Sequence, residues 1–450
     1  MDLYERRGPQ VLFHGHTTRG RFIMTDGHDH DCGCDDETLT RRAFAGGCGA
    51  TLAFALAGTT PEAVAGANAD TNMEELLGDK PTDWDRFGKD DELGRLNLLG
   101  SEEAFAGMRA ATRSGAKGIQ RFSLQLSQTG EVIESTTDTG DPAFPPRTPA
   151  RRDNTTPVEP DSLAGGMKFV DDKFAADAFL QGTTHVDALG HAWYGERIYN
   201  GFSARTTEAV KEFDTGLLGT QDDDALQETD NDDELEPVET TRGLSKAGIG
   251  NVGDSGVAGR AVLLDVGRAL DSVSDDEGRL PLGYGITYED LMETADAQGT
   301  QIRDRDILLV RTGAVERTRD PDAEWKPLDE PGIVYSDDLY EFVYERDIPY
   351  IGADNLAVEK VVQQIDATGD GDSETFIIPL HGAFLRDMGV QLNEILDLRE
   401  LSAACAEDGI YEFLFTAAPL NIERATGSPV NPLVLKATRK GDDGEERGED

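Results

Sequence analysis

Short apolar runs bounded by turn residues constrain this chain most: Ala261-Val-Leu-Leu264, Ile307-Leu-Leu-Val310, Ile348-Pro-Tyr-Ile351, Phe376-Ile-Ile378 and Tyr411-Glu-Phe-Leu-Phe415. Runs so brief are too short for helices, and they lack the polar alternation of a half-exposed strand. They read as strands buried on both faces. Between them lie segments with helix-end signals. Thr287 with Asp290 forms a capping-box pattern that Gly299 stops, Ser336 caps a second helix, and Asp397 with Glu400 opens a third that Gly409 closes. Strands alternating with helices define an α/β chain.

The chain has 450 residues, enough for one large domain or two small ones. Its formal net charge is -46, from 88 acidic residues against 42 Lys and Arg spread along the whole length. Such a charge repels itself at low ionic strength, whereas at molar salt the Debye length falls to about 3 Å and the repulsion is quenched. The expectation is a protein adapted to concentrated salt, of the halophilic archaeal type; a cationic partner is the alternative. Nucleic acid is not an expected partner, because phosphate binding needs Lys and Arg gathered on one face. The stretches 221–237 and 441–450 are acidic and nearly free of apolar residues, and are expected as a solvated insert and tail.

Thr40-Arg41-Arg42-Ala-Phe44 precedes a mild apolar stretch at 45–57 and the small-residue sites Ala63-Val-Ala65 and Ala67-Asn-Ala69. That order predicts a twin-arginine export signal, with 1–69 as leader, 70–440 as the main domain, and an extracellular or cell-surface location. The apolar part falls short of the roughly 20 residues that span a membrane. Cys32, Cys34 and Cys48 would leave with the leader, as would His28 and His30, which are read as part of an unstructured segment. Cys405 would stay, in the apolar helical stretch Leu401-Ser-Ala-Ala-Cys405, where burial makes a thiol inert.

Beyond residue 30 the only histidines are His185, His191 and His381. Two stand in Gln181-Gly-Thr-Thr-His185-Val-Asp187-Ala-Leu-Gly-His191, and the third opens a stretch that ends at Glu394. If the first run is extended, Gln181, His185 and Asp187 share a face. His191 joins them only if the chain turns after Asp187, since four extended residues span about 13 Å, and Gly190 is placed to allow the turn. Imidazole and carboxylate so gathered suit a borderline divalent cation.

These residues carry a resemblance. The run is similar to the His-x-Gly-Thr-His-x-Asp-x-Pro-x-His signature of the cyclase family of metal-dependent hydrolases, which includes bacterial kynurenine formamidase and isatin hydrolase. Thr184, His185, Asp187 and His191 match it, and His381 and Glu394 resemble the family's later ligands. Trp84-Asp-Arg-Phe-Gly-Lys-Asp-Asp-Glu-Leu-Gly-Arg-Leu-Asn97, Arg260-Ala-Val-Leu-Leu-Asp265, Ile307-Leu-Leu-Val-Arg-Thr-Gly313 and Gly427-Ser-Pro-Val-Asn-Pro432 extend the likeness over about 82–438. Gln181 departs from the pattern where its first His belongs, and Leu189 where its Pro does. The resemblance implies a cyclase-like mixed sheet with barrel character and outer helices. It also implies zinc or manganese held by His185, Asp187, His191, His381 and Glu394, and, because of Gln181, one well-made ion site beside a weakened or empty one.

The implied chemistry is hydrolysis of a carbon–nitrogen bond in a small molecule such as an aryl formamide, with His191 or else Glu394 moving the proton. A lactone or polyketide cyclase-type enzyme and an exported metal-containing binding protein without turnover are the competing readings. Trp84, Trp193 and Tyr194 are candidates for an aromatic substrate wall. Asp354, Asn355 and Glu359 are candidates to line the pocket, although Asp354 equally suits a cap for a helix begun by Leu356 and Val358. A homo-oligomer, dimer or tetramer, is implied by the likeness alone.

Overall fold

The computed structural model describes residues 73–127, 151–154, 172–175, 179–212, 240–320 and 322–439. The leader, the acidic insert 221–237 and the tail 441–450 lie outside the described residues.

A mixed sheet forms the frame: β1 (Gly118–Ser123), β2 (His185–Asp187), β3 (Val257–Asp265), β4 (Ile307–Arg311), β5 (Tyr350–Ala353), β6 (Gln391–Glu394), β7 (Glu412–Ala417), β8 (Gly427–Pro429) and β9 (Leu433–Thr438). Their spatial order is β1-β9-β7-β3-β4-β5-β6-β2-β8. The four strands β3-β4-β5-β6 run parallel, and every pair outside them is antiparallel. The sheet curls into a half barrel with helices packed on it, the cyclase-like architecture expected from the resemblance.

Side chains alternate across each strand, so the parallel centre feeds two cores. Helix α1 (Ser101–Ala111) lies against β3 and β7, and Val262, Leu264, Leu308, Val310 and Ile351 pack on one face with Leu291 and Ala295 of helix α2 (Tyr288–Ala297) and Leu339, Tyr340 and Val343 of helix α3 (Asp337–Glu345). Ala261, Leu263, Ile307, Leu309 and Tyr350 face the other way, against Leu401 and Cys405 of helix α4 (Arg399–Asp408). Each such Leu or Ile contributes roughly 1.5–3 kcal/mol by leaving water.

The helix ends follow their sequence signals, with one exception. Thr287 and Asp290 cap each other's backbone N–H groups, and the Ser336 hydroxyl accepts from Leu339 N. Gly299 and Gly409 both close their helices at positive φ, 62° and 68°. The capping box expected at Asp397 and Glu400 is absent from the start of α4, whose N-cap is Leu398. Asp397 stands one residue further out, accepting from Arg399 N at 3.4 Å and holding the Arg399 guanidinium through both oxygens at 2.8 and 2.7 Å, a charge-assisted pair.

One strand expectation shifts. Phe376 and Ile377 form a hairpin, Glu374–Ile377 against Val362–Ile365, outside the main sheet. His381 therefore ends a short helical turn, Pro379–His381, rather than a strand, and the chain runs on as the π-helical turn Gly382–Met388. No helix starts after Asp354 either, so that residue has no such helix to cap.

Candidate metal centre

Strands β2 and β6 bring the two ends of the site together. His185 lies directly opposite Glu394 in their antiparallel register, and Asn393 ties the pair by donating from Nδ2 to the His185 carbonyl at 2.7 Å. Thr184 adds a second tie, its hydroxyl donating to Ile395 O at 2.6 Å and accepting from Leu126 N. The strand begins only at His185, so Gln181 does not share a strand face with it. The Gln181 amide instead donates to Thr426 Oγ1 at 2.9 Å, beside Gly427.

After Asp187 the chain turns, with His191 N bonding back to Ala188 O at 2.9 Å. Gly190 lets the turn pack closely: a Cβ on it would lie 3.0 Å from the Leu244 side chain. The turn returns His191 to the cluster, its Nε2 3.8 Å from Asp187 Oδ1.

His185, Asp187, His191, His381 and Glu394 thus converge. Asp187 Oδ1 faces His185 Nε2 at 3.4 Å while Oδ2 faces His381 Nε2 at 3.7 Å. Glu394 repeats the pattern, with Oε2 at 3.2 Å from His185 Nε2 and Oε1 at 3.2 Å from His381 Nε2. His185, Asp187 and Glu394 offer ligand atoms all within 4.8 Å of one another.

The donor set fits a cation on physical grounds. Both Asp187 oxygens are buried and accept no hydrogen bond from the described residues, a costly state for a carboxylate. His185 Nδ1 lies 2.7 Å from Thr183 O, which can only accept, so Nδ1 carries the proton and Nε2 turns a lone pair on the carboxylates. Acceptors facing acceptors repel unless positive charge sits among them. The titration of His185 expresses the same demand: burial pulls its pKa down, yet the adjacent carboxylates of Asp187 and Glu394 raise it to about 9. Asp187 and Glu394, pushed up by burial, are held below the usual carboxylate range by the surrounding histidines.

His191 differs from the other two histidines. Its side chain is 21% exposed where those of His185 and His381 are 1% and 5%, so solvent reaches the cluster at this ring. Burial and the neighbouring His381 and His185 lower its pKa against the pull of Asp187 and Glu394.

The expected pocket residues each have structural partners. Asp354 is buried with its oxygens taken by Thr312 N and Oγ1 and by Gly313 N, so it pins the turn after β4. Asn355 donates to Pro331 O and Val358 O, leaving its buried Oδ1 without a partner among the described residues. Trp84 donates to Arg386 O at 2.8 Å and stacks on the Arg386 guanidinium, which also lies 3.7 Å from the centre of the Tyr194 ring. That sandwich braces the π-helical turn after His381, and no described contact joins Trp84 to the histidines. Trp193 stays exposed.

Sequence reasoning missed the backbone around the ligands. Val358, Ile378 and Ile395 adopt positive φ of 60°, 44° and 57°. β-Branched residues rarely do so, at a cost of order 1–3 kcal/mol each. Val358 precedes Glu359, Ile395 follows Glu394, and Ile378 stands just before the turn that carries His381. No composition signal marks such positions, since the strain is imposed by tertiary contacts.

A fold of this order with this constellation belongs to the putative cyclase family, whose model matches residues 126–360, a stretch that contains His185, Asp187 and His191. The crystal structure of a novel cyclase is 30% identical, with a TM-score of 0.58, and covers 81% of this chain and 99% of its own. An isatin hydrolase bound to the product analogue thioisatinate is 17% identical, with a TM-score of 0.40 over 76% of this chain and all (100%) of its own. A protein described as a predicted metal-dependent hydrolase from Bacillus stearothermophilus is 14% identical, with a TM-score of 0.35 over 71% and 98% of the two chains. No protein of curated function matches the chain.

Proposed function

We propose that this protein is a metal-dependent hydrolase of carbon–nitrogen bonds, resembling an arylformamidase, with one zinc or manganese ion among His185, Asp187, His191, His381 and Glu394. The observation that carries the reading is Asp187, a fully buried carboxylate with both oxygens unbonded and three histidines around it. When bound, a divalent cation supplies Lewis-acid polarisation of a substrate carbonyl and makes water more acidic. The protein's own groups do the rest. Asp187 and Glu394 hold negative charge in a buried site, and His185 and His381 present Nε2 to the same space. His191, neutral near pH 7 because its pKa is lowered, takes a proton from the attacking water at Nε2 and passes it to the leaving nitrogen. Glu394 is the second candidate for that transfer, but its contacts with two histidines favour a holding role.

Turnover of N-formylkynurenine and isatin, measured beside a panel of lactones with and without a chelator, tests this. Chelator-sensitive release of product from an amide or formamide is the expected result. Lactone turnover alone would move the protein to the cyclase-type reading, and bound metal without any turnover would make it a binding protein.

The sequence also supports an exported protein that works in concentrated salt: the acid excess is distributed, and the Thr40–Phe44 motif precedes a mild apolar stretch. Among the described residues no helix is long and apolar enough to cross a membrane. The resemblance supports a dimer or tetramer, which light scattering in molar salt would measure.

A further inference from the structure

We infer that Glu359 is the positioning residue of the metal centre: it fixes the His381 ring with Nδ1 protonated and Nε2 aimed at Asp187 and Glu394. This rests on the metal-centre reading above. Glu359 is 2% exposed and lies on the irregular segment between β5 and the hairpin, where Val358 turns the chain at positive φ. Its Oε1 accepts from both His381 N and His381 Nδ1 at 2.7 Å. Its Oε2 accepts from Leu380 N at 2.9 Å and from Gln363 Nε2 at 2.8 Å, and Gln363 is anchored in turn by Tyr335 N on its own Oε1.

Four donors on one buried carboxylate determine the tautomer. A carboxylate can only accept, so the proton of the neutral ring must sit on Nδ1, and the Nε2 lone pair is left to face the ligand space. The two backbone N–H groups fix more than the ring. They hold the helical turn Pro379–His381 itself, which follows the strained Ile378, so carboxylate and turn are locked as one unit.

His185 is oriented differently, through the neutral carbonyl of Thr183. Among the described residues nothing hydrogen-bonds the His191 ring. His381 is therefore the one histidine of the three backed by an anion, which makes it the most electron-rich ligand of the set.

Zinc affinity, measured by competition with a chromophoric chelator, tests the role in the full chain and in the variants Glu359→Gln and Glu359→Asp. The amide of Glu359→Gln puts a donor against Leu380 N and Gln363 and removes the charge behind His381, so affinity should fall about 10- to 100-fold. Glu359→Asp should recover part of it. Nitrogen NMR of ¹⁵N-histidine-labelled, zinc-loaded wild type, assigned with His381→Ala, should show His381 protonated at Nδ1 and coordinating through Nε2. Coordination through Nδ1, or a folded Glu359→Gln variant with affinity within twofold of wild type, overturns the inference. Should Glu359→Gln fail to fold, the wild-type spectrum decides. A wild type that takes up no zinc or manganese refutes the metal centre itself, and the role of Glu359 falls with it.

Discussion

Asp187 and His381 stand 3.7 Å apart although they come from different elements, one from the end of a three-residue strand and the other from a helical turn after a hairpin. Asp187 reaches His185 and His191 with its other oxygen. One side chain thus spans the whole cluster, and it has no other partner among the described residues.

Asp187→Ala and His381→Ala are therefore expected to lose the ion and all turnover. Elemental analysis after gel filtration checks the first, and assay with added zinc or manganese the second. Retention of wild-type activity in both would end the metal mechanism.

Purified wild type is expected to hold one divalent ion per chain, because Gln181 is turned to Thr426 where the family pattern has a further histidine. Two equivalents by plasma emission spectrometry would contradict that expectation.

His191→Ala is expected to keep the ion and to lower turnover by about 100-fold or more, as removal of a proton-transfer group does. An ion-free His191→Ala protein would instead make the residue a full ligand.

The buried pair Arg95–Asp83 should carry much of the attachment of the 83–98 segment. Arg95 is fully buried; its Nε donates to Asp83 at 2.6 Å, and its remaining nitrogens reach carbonyls at the end of α3 and beyond, those of Val343, Tyr344 and Ile348. Asp83→Ala strands that charge, and a loss of about 3–5 kcal/mol is expected in chemical denaturation. A loss below about 1 kcal/mol would mean that water reaches the guanidinium.

Thermal midpoints should rise across the molar range of KCl, since the folded chain holds its acidic charge closer together than the unfolded one. Flat or falling midpoints would leave the charge to be explained by a cationic partner. Export should fail when Arg41 and Arg42 are both changed to Lys, because a paired-guanidinium reader discriminates the two side chains; fractionation of cells and medium reads the outcome.

Strands β3, β4, β5 and β7 were legible because burial on both faces leaves short apolar runs, as at Ile307-Leu-Leu-Val310, whereas the run at Phe376 belongs to a separate hairpin. The five ligand-type residues were legible because scarce histidines stand out and the family motif orders them. Asp354 and Trp84 could not be assigned from sequence for one reason: a polar or aromatic residue near a ligand in sequence looks the same whether it faces substrate or pins a turn. Only the hydrogen bonds to Thr312 and Gly313, and the stacking on Arg386, separate the two. Glu359 was visible as a candidate, but its partner His381 could not be read from spacing, because the intervening hairpin sets their approach.

The strand His185–Asp187 is slotted between Gln391–Glu394 and Gly427–Pro429, the last of which is made late in synthesis. A ribosome emitting this chain releases the first ligands long before anything exists for them to pair with. If the proposed ion binds, its capture would therefore have to wait for the strand that carries Glu394: a chain cut short before that residue lacks one of the five convergent side chains.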